Sequence, residues 1–194
     1  TRIAVIILLI ILVIFGFLGK KAYDYAYAPN TTAASDTFVY IPTGSNYDNL
    51  ISILENSKCI NDMESFKLIA KIKNLANKVK PGKYKIANGM SNNSLVNMLR
   101  SGQQTPVNVT FNSVRSLDIL AGKVAVNIEA DSAQISNLLK SDSIAAKYGF
   151  NEQTFCSMFI PNTYEFYWNT SAEDFVQRMA DEYKKFWNNE RKEK

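Results

Sequence analysis

Hydrophobic and polar positions divide this chain into one unbroken apolar run followed by a series of short alternating and helical patterns. Ile3 to Leu18 is apolar throughout and rich in Ile, Leu and Val. It is slightly short of the roughly 20 residues that a spanning helix uses. It reads as most of a transmembrane helix with its amino side in the cytoplasm. A core helix fits poorly, because no polar residue interrupts the run. A cleaved signal peptide stays open as an alternative, since Ala26-Tyr27-Ala28 is a small-x-small sequence. That site lies well past the run, however, behind Lys20 and Lys21 and directly before Pro29. Lys20 and Lys21 on the outer side also run against the positive-inside rule. The start at Thr1 rather than Met leads us to expect residues upstream.

Residues 20–35 read as a short tether, polar and Ala/Thr/Asn-rich towards its end. Thr37-Phe38-Val39-Tyr40-Ile41 then alternates and is β-branched or aromatic, which predicts a strand. Ser45 or Asn46 caps a helix carrying Leu50, Ile51, Ile53 and Leu54, and Asn61 or Asp62 caps a second with Met63, Phe66, Ile69, Ala70 and Leu75. Lys80-Pro81-Gly82 is a turn signal, and Lys83-Tyr84-Lys85-Ile86 a second short strand. Ser91 caps a helix that Gly102 stops. Strand, helix, helix, strand in that order predicts a small α+β module of the LysM type over residues 36–104. Residues 105–194 form a second region. Its pattern is a strand at Pro106–Phe111, a helix capped by Ser113 or Ser116, helices at Ser132–Leu139 and Ile144–Tyr148, and a last helix capped by Ser171. Glu173 and Asp174 in the first turn of that last helix favour its dipole. No helix stop signal precedes Lys194, so the second region is expected to be cut short.

Composition narrows the chemistry. The chain is 46% hydrophobic and 21% charged, which excludes disorder. It has no histidine, which removes Ser-His and Cys-His nucleophile pairs and the commonest metal ligand. No metal site and no cofactor are expected, and no glycine-rich phosphate loop is present. Cys59 and Cys156 are the only cysteines; two free thiols are the simpler reading, with a single disulfide as the alternative. Charge is uneven. Lys67, Lys71, Lys73, Lys78, Lys80, Lys83 and Lys85 form a basic stretch. Such a stretch is usually a solvated face, and it can also meet anionic lipid or an acidic polymer. Nucleic acid is not an expected partner for a chain outside the cytoplasm.

The densest chemistry lies between Ser157 and Trp168. Phe159-Ile160-Pro161-Asn162-Thr163-Tyr164 is followed by Glu165-Phe166-Tyr167-Trp168, five rings and one carboxylate in a dozen residues. A buried strand has little use for Pro, Asn, Thr and Glu together, whereas a carbohydrate cleft uses all four. Polysaccharide cleavage needs a carboxyl group that gives and takes a proton near neutral pH, and burial against rings raises a carboxyl pKa. Glu165 is therefore the candidate acid/base. Asn162, Thr163, Tyr164, Tyr167 and Trp168 are the candidate substrate-binding wall. A solvent-facing Glu165, or one paired with a lysine, is the structural alternative.

Several of these stretches, in order, resemble the YceG-like endolytic murein transglycosylases. They are the N-terminal anchor, Ile41-Pro42-Thr43-Gly44, Lys80-Pro81-Gly82-Lys83-Tyr84 with Gly89-Met90-Ser91, Leu99-Arg100-Ser101-Gly102, Phe159–Tyr164 and the final helix. The resemblance implies a single-pass protein of the bacterial inner membrane with its bulk on the periplasmic side. It implies an anchor at 1–19, a tether at 20–35, the LysM-like module at 36–104 and part of a mixed α/β transglycosylase domain at 105–194. The implied activity is a lyase reaction on peptidoglycan that leaves 1,6-anhydromuramic ends, with cell-wall synthases as partners. The family's catalytic glutamate stands in a Glu-Lys-Glu motif after the last helix; none occurs before Lys194, so the chain up to Lys194 is expected to be inactive. Cys156-Ser157 also replaces the Glu-Gly pair that many members carry before the Phe-x-Pro segment. A non-enzymatic, membrane-anchored glycan-binding or scaffold protein is the alternative.

Overall fold

The computed structural model describes residues 2–32, 37–112, 116–188 and 191. It is a mixed α+β chain that divides into two compact units, residues 1–104 and 105–194, each with its own core. Ser113, one of the two caps proposed for the helix after the Pro106–Phe111 strand, lies outside the described residues.

The first unit opens with α1 (Arg2–Tyr27), a helix long and apolar enough to cross a membrane. The helix does not stop where the apolar run stops. It continues through Gly19, Lys20 and Lys21 to Tyr27, so the first half of the expected tether is helical. Lys and Ala are good helix formers. Side chains four apart also meet on this stretch: the Tyr23 and Tyr27 rings are 4.9 Å apart, and Lys21 Nζ lies 5.6 Å from the Tyr25 ring.

The following residues are bolted to the unit rather than free. Asn30 and Thr31 are buried, and short bridges pair Pro29 with Ser91 and Thr31 with Ile60. Asn30 Nδ2 donates to the Asp62 carbonyl (2.8 Å) and to Asn92 Oδ1 (2.7 Å), while its own Oδ1 accepts from Asp62 N (2.8 Å). Asn92, only 1% exposed, donates from Nδ2 to the Tyr25 carbonyl (2.8 Å) and to Ser65 Oγ (2.9 Å). The last turn of α1 is thereby held by a buried polar cluster, each member of which has a partner, as burial demands.

β1 (Thr37–Ile41), α2 (Tyr47–Ser57), α3 (Met63–Ile72), β2 (Gly82–Ile86) and α4 (Asn92–Ser101) follow. Asn46 caps α2, Asp62 caps α3 and Ser91 caps α4, and Gly102 ends α4 in the left-handed region at φ +76°. β1 and β2 are antiparallel, with Val39 opposite Tyr84. Val39, Ile41, Tyr84 and Ile86 turn inward onto Leu54, Phe66 and Leu95. On the outer face Lys83 Nζ lies 4.2 Å from the Phe38 ring. Gly82 sits at φ +142°, and a Cβ there would overlap the Gln104 side chain. Gly82→Ala should destabilise the first unit by about 1–3 kcal/mol, the usual cost of a side chain forced into such backbone. Amide hydrogen exchange along β1 and β2 measures it.

The second unit pairs β3 (Val107–Phe111) with β4 (Asn162–Phe166), antiparallel, Val109 opposite Tyr164. Between them run α5 (Leu117–Ala125), α6 (Ser132–Leu139), α7 (Asp142–Lys147) and a 3-10 turn at Phe155–Met158. α8 (Ala172–Phe186) follows β4. Ser116, Asp131 and Ser171 cap α5, α6 and α8. Alternation sends Val109, Phe111, Tyr164 and Phe166 into a core shared with Phe159 and Phe175. No disulfide joins Cys59 to Cys156; Cys59 is buried, and burial pushes the Cys156 thiol up.

Candidate functional site

The Phe159–Trp168 segment does two separate things. Its first part builds the core. Tyr164 is 6% exposed, stacks on Phe111 at 5.4 Å, and donates its hydroxyl to the Ile160 carbonyl at 2.7 Å. The first unit uses the same device: Tyr84 is fully buried and donates to the Lys80 carbonyl at 2.9 Å. In both cases the accepting carbonyl precedes a proline, and the tyrosine stands three residues after it. A residue before proline is held extended, and the tyrosine hydroxyl satisfies a carbonyl that would otherwise be stranded beside the core. Burial pushes the Tyr84 hydroxyl up to about 12 and raises that of Tyr164 as well. Tyr164 is therefore mainly a core latch, and only a small part of it reaches the surface.

The period of two along β4 divides the other candidates. Thr163 and Glu165 point outward, opposite Thr110 and Asn108 of β3, and the Thr163 and Thr110 hydroxyls meet at 2.8 Å. Asn162 is exposed, and its Oδ1 accepts from Thr163 N at 2.8 Å. Trp168 is partly buried against the core, and its carbonyl accepts from Glu129 N at 2.6 Å. Glu165 is exposed, and Tyr164 and Phe166 on either side of it turn into the core. The ring-lined burial expected for Glu165 is thus absent: alternation gives the rings to one face and the carboxylate to the other.

Glu165 and Tyr167 are brought together with a set of residues on α8. An open groove of about 450 Å³ is lined by Pro106, Glu165, Phe166, Tyr167, Thr170, Asp174 and Arg178. Tyr167 offers a ring that is 55% exposed. Ser171, the cap of α8, donates to Asp174 Oδ2 at 2.8 Å and fixes that carboxylate. Arg178 Nε donates to Glu182 at 3.0 Å, which orients the guanidinium. Asn162 and Tyr164 line a separate recess of about 220 Å³ with Ile160, Glu182, Lys185 and Phe186. The pattern along the chain missed Thr170, Asp174 and Arg178. Asp174, Arg178 and Glu182 recur every fourth residue, a spacing indistinguishable from an ordinary solvated helix face. The groove combines a stacking ring, hydroxyl and carboxylate acceptors, and a guanidinium donor, a chemistry suited to sugar hydroxyls and acetamido groups. Among the described residues, no group of three or more His, Cys, Asp or Glu side chains is placed to hold a metal ion.

A mixed α+β protein with a membrane-length N-terminal helix and a polar, ring-bearing groove is the class that fold and site define. The YceG-like family profile matches residues 39–194, and the chain belongs to that family. The crystal structure of a YceG-like protein from Listeria monocytogenes is similar at 20% sequence identity and a TM-score of 0.39, over 83% of this chain and 58% of that one. The chain thus spans little more than half the length of that relative. No curated protein matches it.

Proposed function

We propose that the protein is a single-pass membrane protein of the bacterial cell envelope that acts on nascent peptidoglycan as an endolytic transglycosylase. Membership of the YceG-like family over residues 39–194 carries this reading. α1 would anchor the chain in the inner membrane, with both units on the outer side. The β1-α2-α3-β2 order would serve as a LysM-like glycan-binding module, and the groove beside β4 would take the glycan of the second unit. In the reaction a carboxylic acid protonates the oxygen between N-acetylmuramic acid and N-acetylglucosamine. The muramic C6 hydroxyl attacks C1, the bond to the leaving sugar breaks, and the carboxylate takes the hydroxyl proton. One carboxyl group suffices, in contrast to the paired carboxylates of hydrolytic enzymes. Glu165 is the groove's candidate for that group.

Glu165→Gln in the full-length protein should lower the release of anhydromuramic ends at least about tenfold, the low end for loss of a general acid/base. Undiminished turnover removes Glu165 from the chemistry. Absence of anhydromuramic product from the unaltered full-length protein rejects the enzyme. The exposure of Glu165 favours a second reading, in which the groove binds glycan without cutting it and the protein is a scaffold for cell-wall synthases. Binding of glycan strands without product would support that reading.

A further inference from the structure

The basic stretch of the first unit is not used by the groove, and the structure distributes it unevenly. Lys83 and Lys85 stand on the outer face of β2, against Phe38. Lys71, Lys73 and Lys78 gather at and after the C-terminal end of α3. From Ser65 to Gln104 there are eight lysines and arginines and not one carboxylate. Lys67 on α3 is neutralised by Glu55 at 3.1 Å and Glu64 at 3.3 Å.

α3 also carries an apolar stripe that its core does not use. Phe66, Ile69 and Ala70 are buried, whereas Leu68 is 44% exposed and Ile72 70% exposed. Residues three and seven positions apart share a helix face, so Leu68 and Ile72 continue the stripe that begins at Ser65. Ser65 is the residue that meets Asn92, and Asn92 holds the Tyr25 carbonyl. The unused stripe therefore starts where the membrane-length helix is fastened.

Distance fixes what that face meets. Tyr25 stands seven residues beyond Leu18 in one continuous helix, a rise of about 10 Å. The headgroup layer is roughly 5–8 Å deep on each side of the hydrocarbon core. A unit fastened at Tyr25 accordingly begins just outside the headgroup layer and within reach of it. Isoleucine and leucine beside lysines is the composition of an interfacial helix face, and lysines near an anionic surface are attracted to it within a Debye length.

We propose that the Leu68–Ile72 face of α3, with Lys71, Lys73 and Lys78, docks on the anionic phospholipid surface of the membrane that α1 spans. Leu68 and Ile72 sit at the boundary between headgroup and acyl chain, and the lysines engage phosphate groups. Asp24, which is exposed, is the one acidic residue in α1. The inference rests on α1 spanning the membrane.

The test uses the full chain in lipid nanodiscs, with spin labels read by power saturation against oxygen and a nickel chelate. Labels are placed singly through Ile72→Cys, Val13→Cys and Tyr40→Cys in a Cys156→Ser background; Cys59 is buried. In discs containing phosphatidylglycerol, the label at 72 should be shielded from nickel and open to oxygen, while the label at 40 stays open to nickel. In pure phosphatidylcholine the shielding at 72 should fall towards the value at 40. A label at 72 as open to nickel as that at 40 in anionic discs overturns the docking, provided that the label at 13 is lipid-buried. A water-exposed label at 13 overturns the spanning helix itself, and the docking with it. Equal shielding at 72 in both lipids overturns recognition of anionic headgroups.

Discussion

Phe175→Ala should destabilise the second unit by about 3–5 kcal/mol, the range for truncating a buried phenylalanine. Phe175 is fully buried in α8. Its ring stacks on Phe159 at 6.1 Å and tilts against Phe166 at 5.5 Å, so it joins the 3-10 turn, β4 and α8 in one contact. Alanine would leave a void between three elements that have few other ways to close on one another. A two-stranded sheet has little stability of its own, and this ring is one of the buried groups that support β4. Native-state amide exchange, followed along β4 and α8, measures the loss. Protection in α8 within about 1 kcal/mol of the parent would show that the cavity collapses, at the mild extreme of such substitutions. Because β4 carries Glu165, Tyr167 directly follows it and α8 carries Asp174 and Arg178, the glycan binding proposed for the groove should weaken along with stability.

Asn92→Ala should cost the first unit about 2–4 kcal/mol, because it strands buried polar groups instead of removing them in pairs. The change withdraws a donor from the Tyr25 carbonyl and from Ser65, and an acceptor from Asn30 Nδ2. Asn30 keeps its bonds to Asp62, and Ser65 keeps its bond to the Asp62 carbonyl at 3.0 Å. The Tyr25 carbonyl at the end of α1 is the group left without this partner. The expected result is loss of exchange protection in the last turn of α1 and the first turn of α4, ahead of β1 and β2. A uniform loss across the unit would mean that the cluster supports the core as a whole rather than the junction.

Much of this fold was legible before any coordinates. Caps at Asp62, Ser91, Ser116 and Ser171 are local devices, in which a side chain meets an amide two or three residues away, so sequence spacing suffices. The apolar faces of α2, α3 and α4 follow from period alone. The helical course of Lys20–Tyr27 was not read from the pattern, and its fastening to the unit was not legible, because that depends on Asn92, far along the chain. The candidate site was legible only in part. Proline, asparagine and glutamate in Pro161–Trp168 argued for a cleft, but along the half-buried strand the asparagine and glutamate fall on the exposed side while Tyr164 and Phe166 fill the core. Knowing which face each residue takes requires the pairing partner, β3, which is more than 50 residues away. Arg178 and Asp174 were invisible for a related reason, since only the packing of α8 beside β4 gives their helix face a neighbour.

The bond between Asn92 and the Tyr25 carbonyl also bears on how such a protein is shed or retained. Cutting at Ala26-Tyr27-Ala28 would not merely remove the apolar helix. It would remove the acceptor of a buried amide and open the cluster around Asn30 and Ser65 to water. Loss of the apolar helix and loss of structural integrity thus become one event, and the cut molecule would be open to proteolysis. The hydrophobic helix is in this sense a part of the fold as much as an address.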